Sequence, residues 1–330
     1  MRRPRVFVTR RLPDRGLSVV LEHCDIEVWP HDTPPSRADL LAAVAQKDGV
    51  ITLLTDIIDS EVMAAGVDLK VISNCAVGVD NIDIRAASAR GIPVGNTPDV
   101  LTDATADLAF GLLLATARRI VEGAEYVKAG NWRTWDPQLL LGADLAGRTL
   151  GIIGFGRIGQ AMARRARGFG LRICYVDHVV CDEPDVTRVD MDDLLSASDF
   201  VSLHVPLNEG THHLINDDTL ARMKPTAILI NTSRGPVVDH AALYRALYDG
   251  RLFAAGLDVT EPEPLPADSP LLTLPNCVVV PHLGSASLWT REQMALLAAE
   301  NLIAGVQGRK LPHCVNPEVY NAMAPHSIGA

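Results

Sequence analysis

Short apolar runs recur along the chain, separated by segments of helical periodicity, and this alternation predicts an α/β fold built on parallel sheets. In the first hundred residues the runs at 6–9, 26–29, 49–53, 71–74 and 93–95 are expected strands, with a helix at 35–45 after a Pro-Pro entry. They make a small doubly wound unit in their own right. A second series of six runs, 149–153, 172–176, 200–204, 227–231, 254–258 and 278–281, suffices for a complete second sheet. Between the two series, 101–121 is rich in Ala and Leu around its whole circumference. That predicts one long buried helix between two domains, with Thr102 or Asp103 as its cap. A further long helix is expected at 290–306, where Thr290 and Gln293 have capping-box spacing.

The run Leu150-Gly151-Ile152-Ile153-Gly154-Phe155-Gly156-Arg157-Ile158-Gly159 leads a buried strand into G-x-G-x-x-G and then a helix over 160–169. Here Gly154 allows the tight turn, Gly156 lets backbone N–H groups approach a pyrophosphate, and Gly159 lets helix and strand pack closely. A second strand follows and ends at Asp177, about 20 residues on. This context predicts a dinucleotide-binding Rossmann domain. Some 150 residues precede the motif, far more than such a domain needs ahead of its first strand. The end of the chain is therefore expected to return to the first domain. That makes a discontinuous substrate-binding domain, 1–100 plus 287–330, with the dinucleotide-binding domain, 101–286, nested inside it. Asn74-x-x-x-Gly78 and Asn231-x-x-x-Gly235 each follow a strand and precede an Asp and a helix. Two related units and coincidence account for this echo equally well.

Composition narrows the class of partner. Of 330 residues, 48% are hydrophobic and 21% charged, as in a globular protein with a sizeable core. A net charge of −10 argues against nucleic acid. The early arginines 2, 3, 5, 10 and 11 flank a strand rather than forming a basic stripe. No run reaches the length of a membrane span, and no signal-peptide core follows the basic start. Six cysteines lack C-x-x-C or zinc spacing, which predicts reduced core thiols, no metal site and a cytoplasmic location.

A nicotinamide enzyme acting on a carbonyl needs a proton donor for the oxygen, a cation for a substrate carboxylate and a wall that excludes water. In doubly wound folds the ligand sits outside the C-terminal ends of the strands, so only residues just past strand ends are good candidates. Arg234 is one: its guanidinium can grip a carboxylate in two parallel hydrogen bonds, and a salt bridge at a turn is the equally available alternative. His282 suits a proton shuttle near neutral pH, although a lone His after a strand is more often a structural hydrogen-bonder. Glu263 follows another strand end, with Glu261 as its rival in the same loop.

The combination is more specific than its parts. Asn231-Thr232-Ser233-Arg234-Gly235, then Gly256-Leu257-Asp258-Val259-Thr260-Glu261-Pro262-Glu263-Pro264, then Pro281-His282-Leu283-Gly284-Ser285 resemble, in order and spacing, the D-isomer-specific 2-hydroxyacid dehydrogenases. Val6-Phe7-Val8-Thr9-Arg10, Val77-Gly78-Val79-Asp80-Asn81 and the segment from Asn96 to Thr102 match as well, so the resemblance spans essentially the whole chain. Within the family it looks most like the glyoxylate/hydroxypyruvate reductases, through Gly-Leu-Asp-Val-Thr-x-Pro-Glu-Pro-Leu-Pro and the Trp132-x-x-Trp135 pair. The resemblance implies a Rossmann domain inserted into a flavodoxin-like doubly wound substrate domain. It implies that His282 protonates the substrate oxygen as hydride arrives, that Glu263 bonds the other ring nitrogen and fixes its tautomer, and that Arg234 binds carboxylate and carbonyl. Backbone N–H groups at Val77 and Gly78 would meet the same carboxylate. Gly154, Gly156, Arg157, Ile158 and Gly159 would cradle the pyrophosphate, while Thr105, Val205, Pro206, Thr232, Asp258, His282 and Gly284 would line the ribose and nicotinamide.

Asp177 stands where the adenosine ribose is expected, and a carboxylate there accepts from the ribose hydroxyls and repels a 2′-phosphate. The next residues are His178, Val179 and Val180, with no arginine before Arg188, so NAD(H) is expected over NADP(H). The expected substrates are small 2-oxo acids such as glyoxylate and hydroxypyruvate. The resemblance also implies a homodimer, in which Trp132 and Trp135 either reach the partner's active site, Trp135 there meeting the substrate, or pack the interface. Another 2-hydroxyacid or phosphite dehydrogenase of the family, and a non-enzymatic NAD-sensing corepressor-like dimer, are the competing readings. A formate dehydrogenase would not need the Glu263/His282 pair.

Overall fold

The computed structural model describes residues 2–181 and 183–322; the tail at 323–330 lies outside the described residues. The chain divides into two compact units, one formed by Met1–Leu101 with Ser287–Ala330 and the other by Thr102–Ala286. Each carries its own parallel sheet.

The first unit alternates β1 (Arg5–Val8), α1 (Asp14–His23), β2 (Asp25–Val28), α2 (Arg37–Val44), β3 (Gly49–Thr52), α3 (Ser60–Ala65), β4 (Val71–Asn74), α4 (Ile84–Ala89) and β5 (Val94–Gly95). The strand order β2-β1-β3-β4-β5 is the flavodoxin-like doubly wound order. Burial explains the order. β3 and β4 are buried at every position, as strands covered on both faces must be, whereas β2 alternates exposed and half-buried residues and lies at the edge.

The second unit opens with α5 (Thr102–Ala117) and α6 (Ile120–Lys128) where one long helix was expected. The break has an identifiable cause. The Ala117 carbonyl accepts from the Ala143 N–H (2.8 Å) of the returning loop, and Arg119 adopts a left-handed φ of 52° with its guanidinium bidentate on Glu122. Nor does the burial of α5 require a second domain: it packs on α7, β10 and β11 of its own unit, defined next.

The rest of that unit comprises β6 (Thr149–Ile153), α7 (Arg157–Gly168), β7 (Arg172–Val176), β8 (Val186–Arg188), α8 (Met191–Ala197), β9 (Phe200–Leu203), α9 (Asp217–Leu220), β10 (Ile228–Asn231), α10 (His240–Tyr248), β11 (Ala254–Leu257) and β12 (Cys277–Val279). The order β8-β7-β6-β9-β10-β11-β12 is that of a Rossmann sheet with an added strand. β8 was not expected from the sequence. Its three residues, Val-Thr-Arg, carry no apolar run, and only pairing to β7 makes them a strand.

The chain then returns to the first unit. α11 (Leu288–Val306) lays a small-residue face on β3 and β4: a Cβ on Gly305 would come within 2.3 Å of Val71, and Ser73 donates to the Ala298 carbonyl (2.8 Å). Its cap is Ser287, which accepts from the Thr290 N–H; Thr290, expected as the cap, is the third helical residue and takes the Ser287 hydroxyl proton at 2.8 Å. A last short helix, α12 (Val319–Ala322), follows.

Candidate active site

Three adjacent strands, β10, β11 and β12, end on the same side of the second sheet, and the three chemistry-bearing side chains follow them one by one. Parallel neighbours lie about 4.8 Å apart, so this topology alone gathers the loops that carry them. Arg234 comes after β10 at the entrance to a tight turn, Gly235–Val237. The Asn231 carboxamide donates to the Arg234 carbonyl at 2.8 Å and accepts the Ser233 N–H at 3.0 Å, which fixes the backbone beneath the guanidinium. Gly235 is obligatory, because a Cβ there would meet the Thr260 carbonyl oxygen at 1.9 Å.

Glu263 follows β11 and His282 follows β12. Glu263 Oε1 lies 2.7 Å from His282 Nδ1, and both side chains are partly exposed. The His282 backbone is itself held, at a left-handed φ of 53°, by N–H donation to the Asp258 carbonyl at 2.9 Å. The rival carboxylate is engaged elsewhere: Glu261 Oε2 lies 2.9 Å from His213 Nε2.

Asp258, buried at the end of β11, accepts the N–H groups of Leu283 and Gly284 at 2.5 and 2.8 Å. Burial pushes its carboxyl up, against the pull of these donors and of His282. A Cβ at Gly284 would touch both Asp258 and Thr105, so Thr105, Asp258, Gly284 and His282 form one cluster.

On the other half of the sheet the glycine run behaves as a dinucleotide cradle should. Gly154 has φ 89°, and a Cβ on it would strike the His204 carbonyl at 2.6 Å; one on Gly159 would strike the Gly154 carbonyl at 2.2 Å. Around Gly156 there is open space, and α7 begins at Arg157, followed by Ile158, with no side chain capping it. Such a helix start offers N–H groups to an anion. Val205 and Pro206 follow β9 alongside, and the Thr232 hydroxyl is buried without a hydrogen-bond partner, as a ligand-facing group would be. Asp177, just past β7, accepts from Phe155 N–H (2.6 Å) and Val179 N–H (2.9 Å). Burial works against its charge, but these donors prevail and hold the carboxyl below its usual range. The residues present fit a bound dinucleotide.

One neighbour of Asp177 was not legible as such. Arg188 lies 11 residues on, yet β8 pairs with β7 in a register that sets Arg188 opposite Tyr175, and its guanidinium donates to the Asp177 carbonyl at 2.8 and 3.2 Å. In the first unit, Val77 and Gly78 occupy the loop after β4. Their carbonyls are tied back by the Asn96 and Asn74 carboxamides, each at 2.9 Å, and Asn74 is in turn braced by Thr52 (2.9 Å) and Asn81 (3.1 Å). Asn74 and Asn231 thus do the same work: each ends a strand and pins a carbonyl of the loop that follows. Trp132 and Trp135 lie on the loop after α6, 61% and 78% exposed.

A profile of the D-isomer specific 2-hydroxyacid dehydrogenase NAD binding domain matches residues 110–284. The chain is 52% identical over 328 residues to a glyoxylate reductase of Korarchaeum cryptofilum, covering 98% of this chain and 99% of that one. It is 49% identical over 331 residues to a glyoxylate reductase of Thermococcus litoralis, covering 98% and 100%. Among solved structures, a protein of Thermus thermophilus superposes with a TM-score of 0.90 at 51% identity, covering 94% of this chain and 99% of that one. An NADPH-dependent glyoxylate/hydroxypyruvate reductase of Sinorhizobium meliloti, in complex with NADP and malonate, superposes with a TM-score of 0.84 at 35% identity, covering 95% and 97%.

Proposed function

The chain belongs to the D-isomer-specific 2-hydroxyacid dehydrogenase family and is an NAD(P)-dependent oxidoreductase; from that premise we propose that it reduces small 2-oxo acids, glyoxylate and hydroxypyruvate, to D-2-hydroxy acids with NAD(H). The observation that carries the mechanism is the 2.7 Å pair of Glu263 and His282 beyond two adjacent strands, with Arg234 beyond the third. When bound, the nicotinamide supplies the hydride. With Nδ1 held by Glu263, His282 keeps Nε2 as the atom that delivers a proton to the substrate oxygen. Arg234 holds the carboxylate and polarises the carbonyl beside it. In the first unit, the Val77–Gly78 loop is the anion-binding element, its N–H groups oriented by the two asparagines behind it. Gly154, Gly156, Arg157, Ile158 and Gly159 hold the pyrophosphate, with Thr105, Val205, Pro206, Thr232, Asp258 and Gly284 around the ribose and nicotinamide.

The preference for NAD(H) rests on the ionised Asp177 at the ribose position. Steady-state turnover with glyoxylate, hydroxypyruvate and pyruvate, each with NADH and NADPH, tests both halves of the reading. No turnover on any of the three acids removes the substrate assignment, and a higher kcat/KM with NADPH removes the cofactor assignment. We place the enzyme in the cytoplasm on the strength of six unpaired cysteines, of which Cys24, Cys75 and Cys277 have thiols pushed up by burial to about 11, 12 and 12. No helix among the described residues is long and apolar enough to cross a membrane.

A homodimer is part of the same reading. α6 leaves Ile120 and Val127 exposed, and Val121, Leu272 and Leu274 line a neighbouring groove of about 560 Å³. Exposed apolar side chains beside a groove fit a surface that a second copy covers. Light scattering should return twice the 35.5 kDa chain mass, and Val121→Glu should return it to one.

A further inference from the structure

The second unit holds another histidine–carboxylate cluster, apart from the Glu263–His282 pair. His213 Nε2 lies 2.9 Å from Glu261 Oε2, the His212 ring stacks on that of His213 at a centroid distance of 4.0 Å, and one donor atom from each of the three residues lies within 4.8 Å of the others. The backbones that carry them are anchored. His213 N–H donates to the Pro236 carbonyl at 2.8 Å, Ile215 N–H to the Val237 carbonyl at 3.0 Å, and Glu261 N–H to His240 Nδ1 at 3.3 Å. Upstream, Thr211 Oγ1 closes its loop on the Pro206 carbonyl at 2.6 Å and accepts the Asn208 N–H at 2.9 Å.

A tetrahedral ion bound to imidazole nitrogen and carboxylate oxygen at about 2.0–2.2 Å needs donors about 3.3–3.5 Å apart. His213 and Glu261 already stand inside that separation. His212 is exposed, and a turn of its side chain off the His213 ring would close the rest. Two imidazoles and one carboxylate suit a borderline transition ion rather than calcium or magnesium, which favour all-oxygen shells. Three protein ligands leave the fourth position to water.

We propose that His212, His213 and Glu261 bind one divalent transition ion of the zinc class. Glu261 lies two residues before Glu263 in the same loop, so an ion on Glu261 pins the segment that carries the partner of His282 and lowers turnover. This consequence rests on the catalytic reading of Glu263, whereas binding itself does not.

The test uses the full chain, stripped with a chelator and titrated with Zn²⁺ by calorimetry and with Co²⁺ by visible spectroscopy. Expected are one Zn²⁺ per chain with micromolar affinity, tetrahedral d–d bands for Co²⁺, and at least tenfold weaker binding in His212→Ala. His282→Asn should bind as tightly as wild type. Absence of binding at millimolar Zn²⁺ overturns the site, as does equal affinity in His212→Ala. Loss of binding in His282→Asn would assign the ion to the catalytic pair instead. At about three times the wild-type Kd for Zn²⁺ the wild type should lose about threefold in turnover, and His212→Ala, at least tenfold weaker in binding, should lose less than a third. Unchanged wild-type turnover with the ion bound overturns the coupling and leaves the site standing.

Discussion

Replacing Glu263 by Gln keeps the shape of the side chain and removes its charge. An amide can donate as well as accept, so the His282 ring is no longer held to one tautomer, and the fraction poised to deliver a proton from Nε2 falls. Proton transfer by a positioned group is worth about 10²–10⁴-fold, so kcat for glyoxylate should drop by about 10² or more with little change in unfolding midpoint. A kcat within threefold of wild type would remove Glu263 from the proton path. Standing just past an apolar run made Arg234, Glu263 and His282 candidates, since a doubly wound sheet places its ligands there, and the family resemblance gave them their expected roles. Position after a strand did not separate Glu261 from Glu263, which share a loop; the resemblance selected Glu263, and the fold sets one against His213 and the other against His282. Arg188 was hidden, since its approach to Asp177 depends on strand pairing and not on sequence distance. It also sharpens the cofactor prediction. Asp177→Ala should raise kcat/KM for NADPH relative to NADH by about thirtyfold, since the hydrogen bonding lost to one cofactor and the repulsion relieved for the other are each worth about 1 kcal/mol and both act on the ratio. If Arg188 then supplies the cation for the 2′-phosphate, Asp177→Ala with Arg188→Ala should lose most of that gain; a double variant that keeps it would exclude Arg188.

At the scale of elements, periodicity located most of the strands and helices but not the points where a tertiary contact intervenes. The apolar run at 101–121 is uniform enough for one helix; what divides it is the Ala143 N–H, which arrives from the returning loop to take the Ala117 carbonyl. β8 is the converse case, a polar tripeptide made into a strand by its neighbour. Loop anchoring belongs to the same class. Asn96 lies 19 residues from Val77, and nothing local in the sequence links them, yet its carboxamide holds the Val77 carbonyl at 2.9 Å. Asn96→Ala should let that peptide rotate and misdirect the N–H groups of the loop. For a loop that binds the substrate carboxylate, the expected result is a KM for glyoxylate raised about tenfold, one charge-assisted hydrogen bond's worth, with kcat changed less than threefold and KM for NADH unchanged. A uniform fall in kcat with both KM values intact would make Asn96 a purely structural residue.

At the scale of the whole molecule, two parallel sheets were legible because continuous apolar runs of four or five residues are what doubly covered strands require. The response of the fold to pH was not, because it depends on which titratable groups the strand ends bury. His204 stands at the end of β9 beside the glycine turn, its Nε2 2.9 Å from Ser202 Oγ, and burial pushes its pKa down from 6.5 to about 4. Burial lowers that of His240 as well. The unfolded chain therefore binds a proton at His204 before the native protein does, and stability falls as the pH drops from 6.5 toward 4, with the full contribution present above 6.5. Asp56 and Asp258, raised by burial, act in the opposite direction, so the wild-type curve alone does not isolate the histidine. The difference between wild type and His204→Asn does, since Asn can still pair with Ser202 but does not titrate. Urea unfolding of both proteins at about pH 7 and about pH 4.5 should show the wild type losing ~1–3 kcal/mol more than the variant across that interval. Parallel losses in the two proteins would mean that His204 takes up its proton in the folded state as readily as in the unfolded chain.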